Sequence, residues 1–132
     1  MTQPHRRWPC PCCGHLVHED PPGSHLICPI CFWEDDGVQL RWPLYKGGAN
    51  KPSLVEAQLN FLEIHACEQR LRQKVRKPQL DEPLEQGFRV IDLAIDSFEE
   101  NGDQERPWPD DRTVLYWWRP TFWRSRNIPA DK

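Results

Sequence analysis

Two short elements, Cys10-Pro-Cys-Cys13 and Cys28-Pro-Ile-Cys31, constrain this chain more than anything else in it. Each runs cysteine, proline, one residue, cysteine, and the second begins 18 residues after the first. Proline fixes φ after the leading cysteine, and the tight turn that follows brings the second sulfur back beside the first. Gly14 then permits the backbone conformation that ends the turn. Phe32 holds the equivalent place in the second element, which makes that turn less ideal. Two such knuckles supply the four thiolates that a tetrahedral Zn2+ takes. The expected ligands are Cys10, Cys13, Cys28 and Cys31, and the expected ion is structural, because a catalytic zinc keeps one position open for water.

The other sulfurs and imidazoles have plainer readings. Cys12 reads as a small packed residue beside the site, with an alternate ligand or redox-sensitive neighbour as the sharper reading. His15, His18 and His25 lie between the knuckles, where any could replace a cysteine; strand-surface positions suit them better. Cys67 is expected inside a helix, buried. A cytosolic chain has little use for disulfides, and six cysteines there point to metal or reactive thiols.

Composition narrows the class. A chain of 132 residues is expected to form one domain, here with a knuckle subdomain over 8–50 and a helical region plus C-terminal strand over 51–132. Seven tryptophans and 14 prolines in a chain only 38% apolar mean much loop and a core built from aromatic bulk. No apolar run approaches the length of a membrane span, and MTQPHRRWPC has no apolar stretch to serve as a signal peptide, so a cytoplasmic location is expected. Residues 81–105 carry nine acidic residues against one basic residue, a local net of −8. Phosphate binding needs clustered Lys and Arg, and this chain shows no dominant basic face.

Local patterns fill in an α+β fold. His15–His18 reads as a strand, Pro21–Ser24 as a turn and His25–Ile27 as the returning strand, a zinc-ribbon-like hairpin between the knuckles. Trp33 to Asn50 reads as loop. Ser53-Leu-Val-Glu56 fits a capping box opening an amphipathic helix that Pro78 stops. A second amphipathic helix is expected from Pro83 to Asn101, with Leu84, Phe88, Ile91, Ile95 and Phe98 on its apolar side and Asp92, Asp96, Glu99 and Glu100 opposite; Gly87 weakens its first turns. Thr113–Trp118, TVLYWW, reads as a Trp-rich strand.

The stretches PCPCCG, PPGS, ICPICFWEDDG, GGAN and SLVEAQLNF, between Trp8 and Phe61, resemble the bacterial cysteine-rich CPCC family. The resemblance implies a small bacterial protein, and some similar proteins accompany polymorphic toxins, which implies an immunity role.

No catalytic residues are expected. Glu34, Asp35 and Asp36 can be imagined as acid/base groups, but a solvated turn is the simpler reading. No phosphate-cradling motif or small-molecule site is evident. The leading expectation is a non-enzymatic protein that binds and occludes a co-encoded toxin domain. Its candidate contacts are Glu34, Asp35, Asp36, Asp92, Asp96, Glu99, Glu100, Trp117, Arg119 and Trp123. The Trp-rich tail reads as core as readily as interface. The alternative is a zinc ribbon that binds nucleic acid, with Arg119, Arg124 and Arg126 beside Trp117, Trp118 and Trp123.

Overall fold

The computed structural model describes residues 7–124; residues 1–6 and 125–132, and with them Arg126, lie outside the described part. Its regular elements are few. Strand β1 (Trp8–Pro9) pairs antiparallel with β2 (Leu16–His18), followed by helix α1 (Gly37–Arg41), helix α2 (Leu54–Ile64) and two 3-10 turns, Gln69–Lys74 and Arg112–Leu115. The fold is thus mixed α and β, with long irregular segments packed on a small sheet. Among the described residues no helix is long and apolar enough to cross a membrane.

The hairpins differ from expectation. β2 pairs with β1 across the first knuckle, not with His25–Ile27 across the gap between knuckles. Residues 25–27 instead pair with 34–35 across the second knuckle, through His25 N–H to Asp35 O, Asp35 N–H to Leu26 O and the Ile27–Glu34 bridge. Each cysteine turn therefore sits inside its own short hairpin.

Helix α2 opens on the capping box the sequence predicts. Ser53 Oγ accepts from Glu56 N–H at 3.1 Å, and Glu56 Oε1 accepts from Ser53 N–H at 3.0 Å. It stops at Ile64, 13 residues before Lys77, because His65 turns left-handed at φ 63°. The Cys67 amide then donates to Cys31 O at 2.8 Å, and Asn60 Nδ2 donates to Cys67 O. Bonds to the second knuckle and to the helix's own side chain replace the next helical turn, so Cys67 is buried as expected but outside any helix.

The second predicted helix does not form. Gly87 adopts φ 85°, and the amides that would continue a helix are bound elsewhere. Glu85 N–H donates to Gly14 O, and Ile91 N–H to Gln58 Oε1 on α2. Asp92 Oδ1 accepts from Ala94 N–H, the local side-chain bond by which Asp competes with helix. The TVLYWW strand is also absent. Asp111 Oδ1 takes both the amide and the hydroxyl of Thr113 and starts a 3-10 turn, after which Trp123 N–H returns to Val114 O. The aromatic residues still supply the core: Leu115, Tyr116, Trp117 and Phe122 are buried, with Phe88 and Trp118 packed against them.

The acidic stretch 81–105 owes its path to charge. Six of its nine carboxylates meet six different arginines: Asp81–Arg7, Glu82–Arg76, Glu85–Arg119, Asp96–Arg89, Glu99–Arg41 and Glu105–Arg124. The Arg41–Glu99 pair has side-chain exposures of 0% and 1%. Arg41 Nε and Nη2 bind Glu99 at 2.6 and 2.9 Å, and its guanidinium lies 4.8 Å from the ring centroids of Trp42, Trp108 and Trp123. A buried charge is tolerable when it is paired and hydrogen-bonded, and costly once its partner is removed; the three indole faces add cation–π attraction.

Two predictions follow from this packing. Glu99→Gln leaves Arg41 buried without a counter-charge and is expected to cost about 3–5 kcal/mol near neutral pH. Arg41 holds the Glu99 carboxyl below the usual carboxylate range. Its stabilising share is therefore present above the unfolded value of about 4.3 and is lost as pH falls through the lower folded value. In urea titrations the gap between wild type and variant should narrow below about pH 4.

Gly14 and Gly87 share positive φ, but a Cβ on Gly14 would lie 2.4 Å from the Phe88 ring while one on Gly87 meets nothing within 4 Å. Gly87→Ala should cost about 1–2 kcal/mol. Gly14→Ala should cost about 1–3 kcal/mol more for overpacking, read from the same titrations.

Candidate metal centre

The two knuckles are near copies of one another. In the first, Cys10 N–H donates to His15 O at 2.9 Å and Gly14 N–H to Cys10 O at 2.7 Å; in the second, Cys28 N–H donates to Trp33 O at 3.0 Å and Phe32 N–H to Cys28 O at 2.8 Å. Gly14 has φ 83° and Phe32 φ 69°. The second turn thus keeps the left-handed geometry with a side chain that disfavours it. Ile30 N–H also points at Cys28 Sγ, 3.4 Å away.

The four paired cysteines come together. Their sulfurs all lie within 4.8 Å of one another, with Cys10–Cys31 at 3.6 Å and Cys13–Cys28 at 3.7 Å. These distances are far too long for disulfides at about 2.05 Å, and all six cysteines are free. They match the edge of a sulfur tetrahedron, about 3.8 Å when the metal–sulfur bonds are about 2.3 Å. Exposure is 0% for Cys10, Cys28 and Cys31 and 4% for Cys13. Burial pushes the thiols of Cys10 and Cys31 well above their ordinary range. A divalent cation among them reverses that balance, since a coordinating thiol is deprotonated outright. The four sulfurs are placed so that together they could hold a metal ion.

The remaining candidates fall outside it. Cys12 is buried at 1% exposure beside the cluster. Cys67 is held as a thiol, first by burial and then by the neighbouring Cys12 and Glu68. His15 Nδ1 sits 2.8 Å from Glu82 O, His25 Nδ1 lies 3.1 Å from Glu34 Oε2, and His18 is packed inside the hairpin. None of the three histidines belongs to the four-residue cluster.

The Glu34-Asp35-Asp36 run is not a solvated turn: Asp35 and Asp36 are buried and bonded to backbone. Asp35, 1% exposed, accepts at Oδ2 from Gly23 N–H, Ser24 N–H and Ser24 Oγ. Asp36 caps α1 through Oδ1 and accepts from Ala49 N–H at 2.8 Å through Oδ2. Asn50 bonds both backbone atoms of Glu34. The PPGS, WEDDG and GGAN stretches are thus tied into one network.

Three buried amide side chains escaped the sequence reading. Gln39 donates to Tyr45 O, Asn50 O and Pro52 O, fastening the 43–52 loop, and is met by Asn50. Gln58 donates to Pro11 O inside the first knuckle. Gln39 and Gln58 are marked only by their place on the inner sides of α1 and α2, and Asn50 sits in a loop; the sequence predicts loop where α1 forms.

The candidate partner contacts scatter. Asp35, Asp36, Glu99 and Trp117 are buried, Trp117 with its Nε1 donating to Arg89 O at 3.0 Å. Asp96 is clamped by Arg89, and Arg119 by Glu85. Trp123 stacks on Arg41 and Arg106. Asp92 and Glu100 remain exposed, and Glu34 is half-buried against His25. The acidic helix face expected from the sequence does not exist in the fold: the helix does not form, Asp96 and Glu99 turn to Arg89 and Arg41, and Asp92 and Glu100 face solvent.

Four buried thiols gathered by two matched turns mark a cysteine-rich protein with a cluster able to hold a metal ion. A family model described as Cysteine-rich CPCC matches residues 8–82, more than half of the 132, and the chain belongs to that family. The match extends past Phe61 through the 3-10 turn to Glu82. Among curated proteins, none matches the chain.

Cys10→Ser and Cys28→Ser should each lose stoichiometric metal and lower stability together, because site formation and folding are coupled. Cys12→Ala and Cys67→Ala should keep full metal content, measured by elemental analysis of the purified variants.

Proposed function

We propose that the protein is a non-enzymatic zinc protein whose ion staples two zinc-ribbon-like hairpins into a platform for binding another protein. The observation that carries this reading is the closed, buried set of four sulfurs. Four thiolates fill a tetrahedral shell and select Zn2+ over hard cations. A filled shell leaves no position for the water that a catalytic zinc needs. The free thiols suit a reducing compartment such as the cytoplasm.

The partner class we favour is a co-encoded toxin domain, the protein acting as its immunity factor by occlusion. The resemblance of the CPCC motifs to proteins that accompany polymorphic toxins supports this reading. The arginines that a nucleic-acid interface would recruit are engaged: Arg119 with Glu85 and Arg124 with Glu105. These two pairings count against the alternative, in which Arg119 and Arg124 meet phosphates together with Arg126.

Co-expression with the product of the adjacent gene tests the proposal. The expected result is a complex stable to gel filtration and survival of cells that the product alone kills. Separate elution together with unaltered killing contradicts it.

A further inference from the structure

A recess of about 250 Å³ lies against the second knuckle, lined by Ile30, Phe61, His65, Val75, Lys77 and Pro78, with Arg76 at its edge. Its floor is Ile30, the residue between Pro29 and Cys31, itself only 2% exposed. Phe61 and His65 meet edge to face at 6.1 Å. The recess has room for one large apolar side chain and is smaller than the pockets of about 300–1,000 Å³ that take drug-sized ligands.

The surroundings are basic. Arg76 bonds Glu82 through both terminal nitrogens, but Lys77 has no carboxylate partner among the described residues. The 3-10 turn leading into the recess carries Arg72 and Lys74, both exposed and likewise without one. Seven of the other nine arginines in the described residues pair with a carboxylate, and the remaining two, Arg106 and Arg112, lie over the Trp123 and Trp108 rings; at this recess unpaired positive charge borders an apolar hollow.

The recess is also tied to the second knuckle. Its wall is hung on the second knuckle by Cys67 N–H to Cys31 O at 2.8 Å and Arg76 N–H to Pro29 O at 3.1 Å. Both acceptors belong to the knuckle that presents Cys28 and Cys31.

We propose that this recess is a docking site for an acidic protein segment that inserts one Phe or Leu side chain between Phe61, Val75 and Pro78, with its flanking carboxylates facing Lys77, Arg72 and Lys74. Opposite charge steers such a segment to the recess, and burial of the apolar anchor holds it there. The inference rests on and deepens the protein-binding reading by giving the partner's chemistry and placing its contact on a surface built against the second knuckle.

A fluorescein-labelled peptide, Asp-Glu-Asp-Phe-Glu-Asp-Glu, titrated into metal-loaded protein by fluorescence anisotropy tests it. Saturable binding is expected. It should weaken at least tenfold in Lys77→Glu and in Val75→Asp, both checked for unchanged metal content and circular dichroism, and at least tenfold when the peptide Phe is replaced by Ala. It should also weaken steeply between 50 and 300 mM salt. Absence of saturable binding, or equal binding by the Ala peptide or by both variants, overturns the proposal. So does tighter binding of a single-stranded RNA or of anionic vesicles that the same substitutions abolish. Peptide binding without a complex with the adjacent gene product would overturn the toxin reading and leave this site standing; the reverse result would do the opposite.

Discussion

Four sulfurs within 4.8 Å of one another in a pocket closed to water form the constraint on which the rest of this structure depends. Without a cation, such a cluster must hold its protons or repel itself. With one, the same atoms become the strongest tertiary link in a chain whose regular elements are otherwise too short to hold each other. β1 has two residues, β2 three and α1 five, well below the lengths that stabilise themselves. An ion held there would contribute strongly to folding, because site formation and folding are coupled.

Around that point the chain is fastened by polar side chains. Gln58 links α2 to the first knuckle and to residue 91, Asp35 links the second hairpin to the Gly23–Ser24 turn, and Gln39 with Asn50 secures the 43–52 loop. Buried polar groups of this kind stabilise through the bonds they complete; Asp35 does so through Oδ2 while its Oδ1 has no partner among the described residues, and such bonds make the loops specific without giving them helix or sheet. On the far side, Arg41 inside its box of three indoles plays a similar part for the acidic stretch.

The sequence revealed what is decided locally. Spacing and proline named the four cysteines, Gly14 marked the end of the first turn, and the Ser53–Glu56 box marked the start of α2. It misread what is decided at long range. Leu84, Phe88, Ile91, Ile95 and Phe98 do repeat at helical steps, yet Leu84 and Ile95 stay half exposed, while Phe88 packs on Gly14 and Trp118. Alternating aromatics in TVLYWW signalled a core correctly and a strand wrongly, since Asp111 decides the backbone there. The carboxylates of 81–105 looked solvated because their partners, Arg7, Arg41, Arg76, Arg119 and Arg124, lie elsewhere in the chain. A charge pattern read one window at a time cannot show such pairs.

X-ray absorption at the zinc edge, together with elemental analysis of protein purified under reducing conditions, tests the central claim most directly. One zinc per chain surrounded by four sulfurs at about 2.3 Å is the predicted result. A metal-free folded protein, a shell containing nitrogen or oxygen, or Cys10, Cys13, Cys28 and Cys31 joined as disulfides would contradict it.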